Sequence, residues 1–230
     1  MVWWFFTTQH IITIILTIAA PIILFFVLKP LKEEISDKIL FVLSFGGWYG
    51  VWGNIAEGVI METLVWELPF HLCSYTAMLL PFAVAFKSKK LCATLSLWSI
   101  GALVAIVLND EAVGYKINSI DFAIYYFPHL IEFTVPLLML FLGKFKIKFK
   151  DIYWILGLTF GVYTLSFIVN LILTKTIAPT NYLFSMGPTN PVTQALYNIL
   201  PCKYFYMYLT LPAIVALSLG IYAIAKEDRV

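Results

Sequence analysis

Residues 152–174 read IYWILGLTFGVYTLSFIVNLILT, a run without a single Asp, Glu, Lys or Arg that follows directly on the lysine-rich KFKIKFKD of 144–151. A bilayer core about 30 Å thick needs roughly 20 apolar residues of helix, so this stretch is long enough to cross one. Six further apolar runs bounded by charge read the same way: Trp3 to Leu28, Ile39 to Met61, Leu68 to Phe86, Leu91 to Leu108, Asp121 to Gly143 and Tyr204 to Ala225. Composition agrees. Of 230 residues, 61% are hydrophobic and only 12% charged, whereas an ordinary soluble chain carries roughly 25% charged residues to keep its surface wet. The expected fold is therefore all-α: a polytopic membrane bundle of seven transmembrane helices, forming one domain over residues 1–230.

Basic residues set the expected orientation, because Lys and Arg are retained in cytoplasmic loops. Lys29, Lys32, Lys38, Lys87, Lys89, Lys90, Lys144, Lys146, Lys148, Lys150, Lys226 and Arg229 fall on one side, and only Lys116, Lys175 and Lys203 on the other. Twelve against three predicts the N-terminus outside and the C-terminus cytoplasmic, in a multi-pass cell-membrane protein. The first run has no basic residue before it and exceeds a signal-peptide core, so it reads as a retained helix. The long external connection 175–203 holds Pro179, Gly187, Pro188, Pro191 and Pro201. It cannot be one continuous helix and could fold as a lid. A net charge of +2 offers no basic footprint for nucleic acid, which is excluded as a partner. Membrane lipids are the expected substrate or ligand, and oligomeric state is not legible. The odd span count and the lack of internal similarity argue against the paired repeats of many secondary transporters.

Polar residues inside the spans are expensive, so their depth is informative. At about 1.5 Å of rise per residue, Cys73 lies roughly 7 Å and His129 roughly 12 Å below the outer end of their spans. Asn54, Glu57, Asn170 and His10 count to a similar level, which predicts a polar cavity near the outer leaflet. Gly46, Gly47, Gly50, Gly53 and Gly58 form a flat strip suited to close helix approach. Trp3, Trp4, Trp66 and the segment Tyr204 to Tyr208 are most simply a boundary belt of aromatic rings.

Within that layer the chemistry-bearing pair is Cys73 with His129. Pro69 suits a first helical position, which puts Cys73 about one turn into its helix, where backbone N–H groups favour a thiolate. His71 is two residues from Cys73, about 200° around the helix, so His129 is the better base, with Glu132 or Glu57 to orient it. The bland reading is that Cys73 is a small apolar residue and His129 a packing element. A disulfide between Cys73 and Cys202 would also remove the nucleophile. A metal held by His71, Cys73, His129 and Glu57 ranks last, since their spacing matches no recognised ligand signature. No metal, nucleotide or other cofactor is expected, and Cys92 reads as inert.

Three segments carry a resemblance: LPFHLCSYTAMLLPFAVAF at 68–86, YFPHLIEF at 126–133 and NYLFSMGPTNP at 181–191. Together they resemble the signatures of the YwaF-type bacterial integral membrane proteins, a family similar to the eukaryotic transmembrane protein 164 group. The resemblance covers nearly the whole chain in the right order. It implies an acyltransferase acting on phospholipid acyl chains, with Cys73 and His129 at the catalytic positions and the Asn181, Tyr182 segment beside them. Where the family has a Trp-Pro-Trp-Tyr-like stretch before the last span, this chain reads Leu200, Pro201, Cys202, Lys203, Tyr204.

Three function classes follow. As an enzyme, Cys73 would take an acyl group from a lipid ester, with Asn54, Asn170 or Asn181 donating to the oxyanion; water as the acceptor would make it an intramembrane lipid hydrolase. As a binding or transport protein, the same polar layer would hold a lipid headgroup or small solute without catalysis. As a scaffold subunit, an apolar helix face would be left for a partner.

Overall fold

The computed structural model describes residues 7–108 and 116–227. Trp3, Trp4 and Arg229, assigned above to the boundary and to the basic tail, lie outside the described residues. Regular structure there is helical, with one isolated bridge between Ile147 and Lys226. The helices are α1 Thr8–Leu28, α2 Glu33–Ser44, α3 Gly46–Ile60, α4 Leu64–Glu67, α5 Leu72–Ala85, α6 Lys89–Leu108, α7 Ile120–Phe141, α8 Asp151–Thr176, α9 Pro191–Ile199 and α10 Leu211–Ala225. Short 3₁₀ turns stand at Tyr182–Phe184 and Phe205–Thr210.

Among the described residues, six helical segments are long and apolar enough to cross a membrane: α1, the continuous Glu33–Ile60, α6, α7, α8 and Phe205–Ala225. The seventh expected run, Leu68 to Phe86, forms a helix of only 14 residues, α5, about 21 Å long. Pro69 is the reason. It disfavours helical geometry at the residue before it, and Leu68 is extended at φ −63°, ψ 145°. His71 is extended too, at φ −86°, ψ 157°, and caps α5 without a side-chain hydrogen bond. Pro69 therefore sits in an irregular lead-in and is not the first residue of the helix, contrary to the sequence expectation.

α1 shows the pattern of a helix solvated by lipid. Its buried stripe is His10, Thr13, Thr17, Pro21 and Leu28, while Ile15, Ile22, Ile23 and Phe26 are exposed. Thr13 and Thr17 turn inward, and their hydroxyls donate to the carbonyls of Gln9 and Thr13, so neither hydroxyl is left without a partner in an apolar surrounding.

α7 is the central element, packed against α1, α2, α3, α5, α6 and α10. The glycine strip is where α3 meets it. A Cβ on Gly50 would lie 2.4 Å from Pro128 Cγ, and one on Gly46 would lie 2.9 Å from Ile131 Cγ1. Gly47 faces α5 instead, with Ala77 Cβ at 2.9 Å. The lysine-rich connections gather at one end, where Asp37 binds Lys144 at 2.7 Å and Lys87 at 2.6 Å. Lys144 also donates to Ser36 Oγ at 2.7 Å. These contacts join α2 to the segments that follow α5 and α7.

Gly50→Ala should therefore lower stability by about 1–3 kcal/mol through overpacking against Pro128. Gly161→Ala, whose Cβ meets nothing within 4 Å, should leave it unchanged or slightly raised. Thermal unfolding in detergent compares the two, and equal melting temperatures would rule out the close approach of α3 and α7.

Candidate functional site

Cys73 is the second residue of α5, and because that helix starts late its sulfur lies at the level of the middle of α7. There His129 and Glu132, three apart and so on one face, turn towards it. One ring nitrogen of His129, the Cys73 Sγ and a Glu132 carboxylate oxygen all lie within 4.8 Å of one another. His129 is 9% exposed and Glu132 2%. Glu132 Oε2 is buried with no hydrogen-bond partner, an arrangement that costs free energy in a folded protein.

The imidazole is oriented by backbone. His129 Nδ1 lies 2.6 Å from the Tyr125 carbonyl oxygen, and a carbonyl only accepts, so Nδ1 carries the proton and Nε2 the lone pair. The Tyr125 ring stacks on the imidazole at 4.5 Å and its hydroxyl donates to the Ala105 carbonyl at 2.9 Å, which ties the pair to α6. Glu132 or Glu57 was expected to orient the ring; at Nδ1 the partner is the Tyr125 carbonyl. Sequence reasoning missed Tyr125, although an aromatic residue four positions before a histidine on one helix was a usable signal.

The other predicted polar residues do not join this group. Asn170, fully buried on α8, donates to the Tyr182 carbonyl at 2.9 Å and to Ser185 Oγ at 2.8 Å, and accepts from the Tyr182 N–H at 2.9 Å. Asn181 donates to the Gly187 carbonyl and accepts from the Met186 N–H. Both asparagines help fold the 177–204 connection, and Asn170 spends both of its amide N–H groups there. Asn54 and Glu57 are half-buried on α3, outside the group of three. His10 Nε2 donates to the Ile106 carbonyl at 2.9 Å, joining α1 to α6. Within the expected polar layer, His10, Asn170 and Asn181 thus make separate contacts. Clefts lined by Glu34, Asp37 and Lys87, or by Lys29, Ser36 and Lys144, lie at the opposite, lysine-rich end.

The 177–204 connection folds down on the lead-in to α5. The Tyr182 hydroxyl donates to the Val65 carbonyl, and burial pushes this phenol up to about 12, so it stays a neutral donor. The Tyr182 ring meets the His71 ring edge-on at 5.2 Å, and Phe184 meets it at 6.3 Å. Trp66 Nε1 donates to the Pro179 carbonyl at 2.9 Å. Tyr204 to Tyr208 are more than a boundary belt: Tyr206 is fully buried, and Tyr204 stacks on both Tyr163 and Phe167. Cys202 is exposed and Cys92 buried, and neither they nor Cys73 form a disulfide, so the bridge between Cys73 and Cys202 is absent.

A sequence model of the TMEM164 family matches residues 5–222, which takes in all three groups of the site and the connection over them. The chain belongs to the TMEM164 family. No curated protein and no solved structure matches it. Long apolar helices together with TMEM164 membership make it a multi-pass membrane protein.

Asn170→Ala removes three hydrogen bonds at once. Stability should fall by about 1–3 kcal/mol, and amide exchange over residues 182–187 should accelerate. Unchanged exchange there would show that the connection holds its fold without Asn170.

Proposed function

We propose that this protein is a membrane-embedded acyltransferase that moves acyl chains between lipids through Cys73 and His129. The observation that carries the reading is the convergence of thiol, imidazole and carboxyl within 4.8 Å, with the imidazole held as the Nδ1–H tautomer. Nε2 is then the atom able to take a thiol proton.

In the first half-reaction Cys73 passes its proton to Nε2 as the sulfur attacks a phospholipid ester carbonyl. Negative charge on the carbonyl oxygen is met by the N–H groups of the first turn of α5, which have no intrahelical acceptors. Collapse breaks the ester C–O bond, and the imidazolium returns its proton to the departing alkoxide. The enzyme now holds an acyl thioester. A second lipid hydroxyl gives its proton to Nε2, attacks the thioester and leaves with the acyl chain while the thiol is regenerated. Glu132, buried beside the imidazole, turns a carboxyl oxygen towards the ring that carries the transient positive charge.

In this reading the chain crosses the bilayer seven times. The lead-in at 61–71 completes the crossing that α5 is too short to make alone, and the site faces the outer leaflet of the cell membrane with the N-terminus outside. The twelve-to-three distribution of basic residues and the gathering of lysine-bearing connections at the far end support that orientation. The 177–204 connection would act as a lid that admits the headgroup.

Two measurements test this. A lipid donor carrying a labelled acyl chain should leave a hydroxylamine-sensitive thioester on Cys73, detected by mass spectrometry. Cys73→Ala and His129→Ala should each lower transfer by roughly 10³-fold or more, with Cys202→Ser unchanged. An acyl-chain distribution identical in all variants would eliminate the enzyme. Separately, a membrane-impermeant maleimide added to intact cells should label the exposed Cys202. Labelling only after lysis would reverse the orientation.

A further inference from the structure

We infer that Cys73, His129 and Glu132 also form a binding site for a zinc-class divalent cation, with Cys73 Sγ, His129 Nε2 and a Glu132 carboxylate oxygen as ligands and one coordination position open. The inference rests on the geometry of the three groups and not on acyl transfer.

Four observations carry it. First, a ring nitrogen of His129, the Cys73 sulfur and a Glu132 carboxylate oxygen lie within 4.8 Å of one another, and Nε2 is the ring nitrogen that the Tyr125 carbonyl leaves for a metal. Zinc binds S, N and O at about 2.3, 2.0 and 2.1 Å, which sets tetrahedral ligand atoms roughly 3.2–3.8 Å apart, so about 1 Å of side-chain adjustment closes the site. Second, Glu132 Oε2 is buried and has no hydrogen-bond partner; a cation supplies what the fold leaves out. Third, the His129 Nδ1–H donates to a backbone carbonyl, that of Tyr125. Metal-ligating histidines characteristically donate their second ring N–H in this way, which fixes the tautomer and raises ligand basicity. Fourth, His129 and Glu132 stand three apart on one helix and the sulfur arrives from another, so two rigid elements hold the site and no loop residue is needed.

Charge favours the same occupant. A thiolate and a carboxylate together neutralise a dication, so the filled site carries no net charge in a medium where an unbalanced charge is expensive. Binding replaces the thiol proton with a sulfur–metal bond and releases that proton to solvent, together with the carboxyl proton of Glu132 where the empty site holds one. The sequence alone suggested a different and weaker set, His71, Cys73, His129 and Glu57. The fold instead turns His71 against Tyr182 and Phe184 and brings Glu132 to the sulfur. Cation binding and acyl-thioester formation exclude each other, because both use the Cys73 sulfur.

The test uses the full chain in lipid nanodiscs, reduced, stripped with chelator and titrated with Co²⁺. One equivalent should produce a thiolate-to-cobalt charge-transfer band and the visible bands of tetrahedral cobalt, displaced by Zn²⁺. Glu132→Gln should weaken binding at least tenfold, and Cys73→Ser should remove the charge-transfer band. An independent measurement needs no variant: Zn²⁺ should slow alkylation of Cys73 by N-ethylmaleimide at least tenfold, reversibly with chelator, while Cys202 reacts at its usual rate in the same sample. Absence of both the band and the protection overturns the inference, as does a Glu132→Gln chain that binds like wild type. A chain that forms the acyl thioester but binds no cobalt would refute the metal site alone. One that binds cobalt but never acylates would refute the transferase alone.

Discussion

Away from water, every backbone N–H and C=O must find its partner within the protein, and this constraint governs the lead-in to α5, where the chain departs from continuous helix near the site. The lead-in to α5 breaks the helix pattern at Leu68 and His71 and leaves carbonyls that no helix satisfies. Two neighbours supply donors, Ser166 Oγ to the Phe70 carbonyl at 2.9 Å and Tyr182 to the Val65 carbonyl, and within the segment the Phe70 N–H donates to the Leu68 carbonyl at 2.8 Å. The shortened α5, the folded 177–204 connection and the buried asparagine on α8 are therefore one arrangement. Asn170 holds Tyr182, Tyr182 holds the lead-in, and the lead-in decides where α5 begins.

That starting point determines the chemistry. A helix running from Leu68 would bury Cys73 behind a full turn of other residues. Starting at Leu72, the same helix presents the thiol within its first turn, beside N–H groups that carry the positive end of the helix dipole. α7 meets it with His129 and Glu132 on one face. The Pro128 ring fits over Gly50 of α3, so a close helix contact sits one residue from the histidine. Packing there and tautomer choice at His129 Nδ1 are adjacent parts of a single rigid construction, the form in which a functional side chain is best held.

The glycines and polar side chains divide accordingly. Gly46, Gly50 and Gly53 admit Ile131, Pro128 and Ile124 of α7, which fulfils what their spacing predicted. Asn170 spends its amide on the irregular 181–187 segment, because a buried amide is drawn to unsatisfied backbone and that segment offers plenty of it. His10 was drawn to the Ile106 carbonyl in the same way.

What the sequence determined by itself is whatever depends on composition and on distance along a helix: the lipid-solvated class, the apolar runs, the glycine strip, and the common height of Cys73 and His129. Helix rise gives height directly, so a sulfur and an imidazole on different runs could be matched in level before any fold was known. The tertiary structure decided everything that depends on angle and neighbour. Rotation of each helix about its axis, and the identity of the helix beside it, come from packing, and no count along the chain contains them. That is why Glu132, and neither Glu57 nor His71, completes the group, why Tyr125 holds the imidazole, and why Asn170 fastens the turn at Tyr182 and Ser185.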